Sequence, residues 1–199
     1  MYGSLGRNDS RFNEKSKYQP NSPYSASKAS SDHLARAYFK TYDIPTIVTN
    51  CSNNYGPRQF PEKLIPLTIK NALNEESIPI YGDGKQIRDW IYVDDHCSAI
   101  NKILQRGTPG STYNIGSSTE ITNIELVNKI CNLLDTIIPR ANNLSYSELI
   151  EYVSDRPGHD KRYAINPEKI KTELGWQAHE SLDTGLMKTI KWYLNEFQN

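Results

Sequence analysis

Apolar residues recur along this chain with two spacings, one typical of helices and one typical of short strands. Between residue 24 and about residue 42 they return every three or four positions, which predicts an amphipathic helix. The apolar side of this helix consists of Leu34, Ala37, Tyr38 and Phe39. The stretch IPTIVTN follows as a short apolar run, which predicts a buried strand, and a strand directly after a helix suggests a parallel sheet.

The rest of the chain alternates the same two patterns. Two strands are predicted around the glycine-rich turn of IPIYGDGKQIRDWIYV, and STYNIG and RYAIN are also strand-like. Further helices are predicted from Pro61 and Glu62 to Leu73, from a cap at Asp94 or Asp95 to Leu104, from a cap at Asn123 through IELVNKICNLLDTII, and from Pro167 and about Leu182. This mixed order, without an internal repeat, predicts an α/β or α+β chain.

The charges of the chain cancel, with 23 basic and 23 acidic residues among 199. No net field therefore favours nucleic acid or an anionic membrane, and we expect neither as a partner. The three cysteines, Cys51, Cys97 and Cys131, form no CxxC, which argues against a disulfide framework or a metal site and favours a reducing, cytoplasmic setting. No apolar run approaches about 18 residues and the start carries no signal-peptide pattern, so we expect a soluble, unsecreted chain.

The stretch SPYSASKAS places Tyr24 four residues ahead of Lys28 with only small residues between them. Residues with this spacing share a helix face, and a nearby cation favours the phenolate that a tyrosine needs to act as a general base. The small residues between them would let a flat cofactor approach the helix. The same spacing recurs at Tyr81 and Lys85 around a turn, so the pair by itself is also compatible with a purely structural role.

Longer motifs give this pair a context. The segment SPYSASKASSDHLARAYFKTYDIPTIVTNCSNNYGPRQFPEKLIPL is followed by GDGKQIRDWIYVDDH, YNIG, DRPGHDKRYAIN and LGW. In order and spacing these motifs resemble the extended short-chain dehydrogenase/reductase superfamily, and within it most closely the dTDP-glucose 4,6-dehydratases. The more discriminating motifs are CSNNYGP running into FPEKLIP, and DRPGHDKRYAI. The resemblance covers nearly the whole chain, from Pro20 to Tyr193.

The resemblance implies the C-terminal part of an NAD-binding, Rossmann-type doubly wound sheet plus a smaller α/β substrate-binding domain. Residues 1–55 would be the remnant of the NAD-binding domain, carrying the Tyr-Lys helix. Residues 56–199 would form mainly the nucleotide-sugar-binding domain, with some segments packing back on the first. The GxxGxxG turn of such enzymes is not in the sequence, and neither is the Thr-Asp-Glu triplet that precedes their Val-Tyr-Gly. We therefore expect a truncated chain that is inactive alone.

The resemblance also implies an activity and the residues that carry it. The intact enzyme would oxidise C4 of the hexose with NAD, eliminate water across C5 and C6, and return the hydride to C6. Tyr24 would take the C4 hydroxyl proton, and Lys28 would assist it and hold the nicotinamide ribose. Asn54 matches a cofactor contact and Asn53 a sugar or phosphate contact. The positions that match the dTDP site are Lys63, Leu64, Pro79, Ile80, Tyr81, Arg88, Asn123, Arg156 and His159.

The intact relatives imply a homodimer that packs through the Tyr-Lys helix, so Leu34, Ala37 and Phe39 would face a partner instead of a core. Two alternatives to the dehydratase remain open at this point. One is a 4-epimerase or a decarboxylase of the same superfamily, which shares Tyr24 and Lys28 but lacks the carboxylates of the elimination. The other is a noncatalytic remnant that binds a nucleotide sugar.

Overall fold

The computed structural model describes residues 1–197, which contain six α-helices, eight short strands and one 3-10 turn. The helices are α1 Pro23–Tyr42, α2 Leu64–Leu73, α3 Val93–Arg106, α4 Asn123–Ile137, α5 Glu168–Leu174 and α6 Leu182–Phe197. The strands are β1 Val48–Cys51, β2 Asn53–Tyr55, β3 Ile78–Tyr81, β4 Ile87–Tyr92, β5 Thr112–Ile115, β6 Glu120–Thr122, β7 Ile150–Val153 and β8 Arg162–Tyr163. The predicted α/β class is confirmed. None of the helices in this part of the chain is long and apolar enough to cross a bilayer.

Parallel pairing dominates the sheets. Strand β1 pairs with β5 and β3 pairs with β7, both in parallel. Strand β4 is the centre of the third sheet, with β2 and β8 parallel to it and β6 antiparallel. The two strands predicted around the glycine-rich turn, β3 and β4, therefore do not pair with each other but join different sheets.

Strand β4 separates two apolar clusters because its side chains alternate between its faces. Trp90 and Tyr92 belong to the larger cluster, which is built on α2, β3, α4 and α6. Ile91, on the opposite face, belongs to the smaller cluster, which is built on α3, β5 and α5 with Ile47 and Cys51 at its edge. The division of the chain at about residue 55 stays a prediction.

The first twenty residues form no helix, yet they are tied closely to the sheets. Tyr2 is fully buried, its hydroxyl donates to Asn114 Oδ1 (2.9 Å), and it accepts from Asn50 Nδ2 (3.2 Å). Phe12 forms an isolated parallel bridge with Ile165. This segment therefore lies across β1, β5 and β8 and leads directly into α1.

Three helix starts differ from the prediction. The cap of α4 is Thr122 and not Asn123, because the Thr122 side chain accepts from the Glu125 backbone while the Glu125 carboxylate accepts from the Thr122 backbone. The cap of α3 is Tyr92, without a side-chain hydrogen bond, so neither Asp94 nor Asp95 caps it. Asp95 instead accepts from distant backbone groups. Helix α2 begins at Leu64, three residues later than predicted.

Candidate active site

Tyr24 and Lys28 lie one turn apart on an open face of α1. The helix begins sharply because Ser22 Oγ accepts from the Ser25 backbone N–H (3.1 Å) and a proline takes the first helical position. Tyr24 is 74% exposed and Lys28 is exposed too. Among the helix residues, only Ala29 is fully buried. The predicted pair is thus presented to solvent on one side of the helix.

The positive charge of Lys28 acts on the Cys51 thiol at the end of β1. Burial raises the pKa of the Cys51 thiol, while a hydrogen bond from Asn54 and the positive charge of Lys28 act in the opposite direction. Cys51 is the last residue of β1, and Asn54 is the middle residue of β2. The charge of Lys28 and the amide of Asn54 therefore both act on Cys51.

The side chain of Asn54 is held on both sides of its amide group. Nδ2 lies 3.3 Å from Cys51 Sγ and 3.3 Å from the Ser52 carbonyl, and Oδ1 lies 2.7 Å from His96 Nδ1. Burial lowers the pKa of His96. Asn53 lies half-buried at the start of β2, where it pairs with Trp90. His96 was not predicted as a site residue, although it ends the motif VDDH.

A second polar cluster surrounds Gln86, just ahead of β4. Gln86 Nε2 donates to the Tyr81 carbonyl (3.3 Å) and to Asp155 Oδ2 (3.2 Å). The Asn123 backbone N–H donates to the Gln86 carbonyl (3.0 Å). Gln86 and Asp155 were not predicted, yet they connect Tyr81 and Asn123 with the segment around His159.

Arg88, Arg156 and His159 meet in this cluster. The Arg88 guanidinium is buried, and it donates to the carbonyls of Ile87 and Asp160, each at 2.8 Å. Burial lowers the pKa of His159, the positive charges of Arg156 and Arg88 lower it further, and the hydrogen bond to Asp155 opposes them. The two guanidinium groups supply positive charge here, beside the Asp155 carboxylate, in a chain without net charge.

A cavity of about 290 Å³ opens beside the second cluster. Gln86, Asp155 and His159 form part of its wall, together with the cationic side chains of Arg7, Lys85 and Lys161 and the carboxylate of Asp83. A larger cavity of about 680 Å³ lies at the amino end of β5, between Glu14 and Lys169, and contains none of the predicted site residues. The smaller cavity is therefore the better candidate for a charged ligand.

The remaining predicted residues differ in what they can offer a ligand. Lys63 is exposed, and within the described part of the chain its ammonium pairs with Glu62 (3.0 Å) instead of with the second cluster. Ile80 is only 1% exposed, so it can offer only backbone atoms, whereas Tyr81 is 47% exposed. The half-buried predicted positions are Leu64 at the start of α2 and Pro79 in β3.

Sequence and structure comparisons agree on the relatives of this chain. The family profile described as GDP-mannose 4,6 dehydratase matches residues 1–189. A probable dTDP-glucose 4,6-dehydratase of Sinorhizobium fredii is 56% identical over 194 residues, which is 98% of this chain and 55% of the relative. The chain spans about half the length of the curated relatives it matches.

Among solved structures, a dehydratase and an epimerase superpose about equally well but differ in their sequence identity to this chain. The dTDP-glucose 4,6-dehydratase of Bacillus anthracis in complex with NAD superposes with a TM-score of 0.89 at 51% identity, covering 99% of this chain and 60% of that one. The UDP-glucose 4-epimerase of Thermotoga maritima with UDP-glucose superposes with a TM-score of 0.85 at only 28% identity, covering 98% of this chain and 60% of that one. The chain belongs to the GDP-mannose 4,6 dehydratase family, and within it is most like the dTDP-glucose 4,6-dehydratases.

Proposed function

We propose that this chain forms the Tyr-Lys helix and the nucleotide-sugar-binding part of an NAD-dependent dTDP-glucose 4,6-dehydratase. The observation that carries the proposal is that the Asn54 amide lies 3.3 Å from the Cys51 sulfur, on which the charge of Lys28 also acts, with Tyr24 exposed on the same helix as Lys28. Redox chemistry on a sugar hydroxyl needs a base and a cofactor contact in one place. The identity to dehydratases, well above that to the epimerase, favours dehydration over epimerisation.

The cofactor fits this chain in part. The face between Tyr24 and Lys28 carries only small side chains, so a flat nicotinamide and its ribose can lie against it with Asn54 alongside. A pyrophosphate needs a cradle of glycine N–H groups. At Gly82 and Gly84 an added Cβ would meet Asp155 at 3.0 Å and Ile80 at 2.8 Å. Side chains of the protein itself therefore already occupy the space beside this turn, so the turn is not an open cradle for a pyrophosphate. The chemistry that NAD supplies when bound is reversible hydride transfer.

Tyr24 acts in this proposal as the base for the sugar C4 hydroxyl. Its exposed phenol can approach a substrate, and the ammonium of Lys28 lies one helical turn away on the same face. Lys28 also donates to the ribose next to the nicotinamide, and Asn54 presents a fixed amide to the cofactor. Asn53, next along β2, contacts the sugar or the phosphate.

The second cluster binds the nucleotide in this proposal. Arg88 and Arg156 supply positive charge for a diphosphate, which guanidinium groups bind with paired hydrogen bonds. Lys63 and Leu64, at the start of α2, are further contacts of the nucleotide in this proposal. The remaining predicted contacts, to the nucleoside, are Pro79, Ile80, Tyr81, Asn123 and His159. Because Arg88 also holds the Asp160 carbonyl, it sets the position of the segment that carries Arg156 and His159.

The exposed side of α1 suggests a homodimer. Leu34 is 61% exposed, Tyr38 is 50% exposed and Tyr42 is 67% exposed, and the three follow one another at one-turn spacing. An apolar stripe of this length on a free helix is unfavourable in water. We propose that two copies pair through this stripe. We also propose that the protein is cytoplasmic. Leu34→Glu should reduce the dimer fraction in analytical ultracentrifugation.

Turnover tests the catalytic part of the proposal. We define the joined chain as residues 1–199 preceded by the N-terminal half of the Bacillus anthracis relative. In the joined chain, Tyr24→Phe should lower the rate of 4-keto-6-deoxy sugar formation by about 10² or more, since only the acid–base hydroxyl is removed. Lys28→Met should weaken NAD binding as well.

Tyr152→Phe is the matched control, because it removes an exposed hydroxyl at a position that is proposed to bind neither NAD, nor the nucleotide, nor a second copy. Its rate should equal that of the unsubstituted joined chain. Unchanged turnover in both Tyr24→Phe and Lys28→Met would assign the pair a structural role and refute the proposal.

A further inference from the structure

His96 lies within hydrogen-bond distance of the side-chain amide of Asn54 and can fix the orientation of that amide. It lies in the first turn of α3, which follows β4 without a break, while Asn54 lies in β2, the parallel neighbour of β4. Asn54 pairs with Ile91 in the sheet, five residues before His96. Both residues are therefore fixed to regular elements, and their side chains meet at 2.7 Å.

The surroundings of Asn54 determine which atom of its amide faces which neighbour. The Ser52 carbonyl can only accept a hydrogen bond, so the amide atom 3.3 Å from it must be the nitrogen. The amide oxygen then faces His96, and because that oxygen can only accept, His96 must carry a proton on Nδ1. A backbone carbonyl thus fixes the amide, and the amide fixes the tautomer of the ring.

The backbone around both residues is also immobilised. Gln59 Nε2 donates to the Asn54 carbonyl (2.8 Å), so the main chain of Asn54 is held from a third direction. Asp95, the neighbour of His96, accepts from the backbone N–H groups of His179 (3.1 Å) and Glu180 (2.9 Å). These contacts hold the start of α3 in place, so the ring of His96 has a rigid base.

We propose that His96 is a positioning residue, which holds the Asn54 amide through an Nδ1–H···Oδ1 hydrogen bond and so prepares it for the cofactor. This inference rests on the proposed function, in which Asn54 contacts NAD. Without the Nδ1–H donor, the Asn54 amide keeps only two 3.3 Å contacts and can rotate. The cofactor would then have to order the amide on binding, and affinity would fall.

The first experiment reads the hydrogen bond directly and needs no cofactor. Nitrogen-15 NMR of the 199-residue chain should find the His96 proton on Nδ1 and distinct side-chain amide signals for Asn54. Those amide signals should move in His96→Leu and stay near their original positions in His96→Asn, whose amide nitrogen replaces the Nδ1 donor. His179→Leu, the same exchange at an exposed position, should leave them unchanged. A proton on Nε2 instead of Nδ1 would overturn the inference.

The second experiment measures NAD affinity in the joined chain. His96→Leu should raise the dissociation constant about fivefold, which is the loss of one ordinary hydrogen bond, while His96→Asn should restore most of the affinity. Adding His96→Leu to Asn54→Ala should cost nothing further, because His96 acts only through Asn54. An equal cost of His96→Leu with and without Asn54 would overturn the inference.

The two experiments separate this inference from the proposed function. A joined chain that binds no NAD would refute the proposed function, and the tautomer and the amide signals would still decide whether His96 holds Asn54. Equal losses of affinity in His96→Leu and His96→Asn, in step with equal drops in melting temperature, would reduce His96 to a structural residue and overturn the positioning role.

Discussion

Arg162 binds Glu120 through two parallel hydrogen bonds, Nε to Oε2 at 2.6 Å and Nη2 to Oε1 at 3.1 Å. The same guanidinium donates from Nη1 to the carbonyls of Gly6 (3.3 Å) and Asp9 (2.7 Å). The pKa of Glu120 is held below its usual range, chiefly by the hydrogen bond from Arg162. One side chain therefore fastens the N-terminal segment to β6 and β8.

Arg162→Lys should cost about 2 to 3 kcal/mol of unfolding free energy in urea. Lysine keeps the charge but has no planar fork, so it cannot reach both carboxylate oxygens and both carbonyls at once. Arg11→Lys is the control, since Arg11 also pairs with Glu120 but is more exposed, and it should cost less than about 1 kcal/mol. Equal costs for the two variants would contradict this account.

Ionisation of the Asp89 carboxyl group should lower the stability of the chain as pH rises from about 4 to 6. Burial raises the pKa of Asp89 to about 6, and its Oδ2 has no hydrogen-bond partner within the described residues. In this window the folded state holds a proton that the unfolded state releases, so a higher pH favours unfolding.

Asp89→Asn removes this titration. The difference in unfolding free energy between the original chain and Asp89→Asn should change by about 2 kcal/mol between pH 4 and pH 7, to the disadvantage of the original chain. Glu76→Gln, at an exposed carboxyl, is the control. A difference that does not vary with pH would mean that Asp89 ionises normally.

Substitutions at Thr122 and Asn123 should have separate effects on stability and on dTDP affinity. Thr122→Ala removes the capping box of α4 and should cost about 1 kcal/mol of stability with dTDP affinity nearly unchanged. Asn123→Ala should have the opposite effects, because its structural hydrogen bond to Gln86 comes from the backbone. Thermal unfolding and calorimetry with dTDP on the same two variants measure both quantities. A loss of stability in Asn123→Ala alone would restore the cap originally predicted there.

Arg88→Ala should weaken dTDP binding to the 199-residue chain by about 1.5 to 3 kcal/mol in calorimetry. Arg88→Lys, which keeps the charge, should lose less, and Arg106→Ala, at the exposed end of α3, should lose nothing. The chain should also prefer dTDP to NAD, since it offers a cationic cluster for the first and no glycine cradle for the pyrophosphate of the second. Equal, weak affinity for both would mean that the site has not formed.

The elements that depend on local pattern were predictable from the sequence. The proline and the preceding Ser22 mark the start of α1, and apolar periodicity marks α4 and α6. Strands β2, β6 and β7 were missed because they are short and partly exposed, and their pairing with β4 and β3 comes from distant parts of the chain. The capping box between Thr122 and Glu125 was visible in the sequence, but the adjacent asparagine is an equally common cap.

The candidate site also contains some residues that sequence motifs indicate and others that only the fold brings together. Tyr24, Lys28 and Asn54 could be proposed from the sequence because motifs carry them at fixed spacing, and their roles stay predictions. His96 was not, because it lies 42 residues from Asn54 and meets it only through the pairing of β2 with β4. Asp95 is similar: it resembles a helix cap in the sequence, but in the fold its carboxylate receives backbone groups 84 and 85 residues away.

The parallel pairing of β1 with β5 also governs how the chain emerges from the ribosome. Val48 pairs with Thr112, which is made 64 residues later, and at roughly 5 to 20 residues per second the first strand waits about 3 to 13 s for its partner. Strand β3 waits still longer, since Ile78 pairs with Ile150. During this interval the backbone N–H and C=O groups of β1 have no β5 to pair with, so the nascent chain presents an open strand edge until β5 has been synthesised.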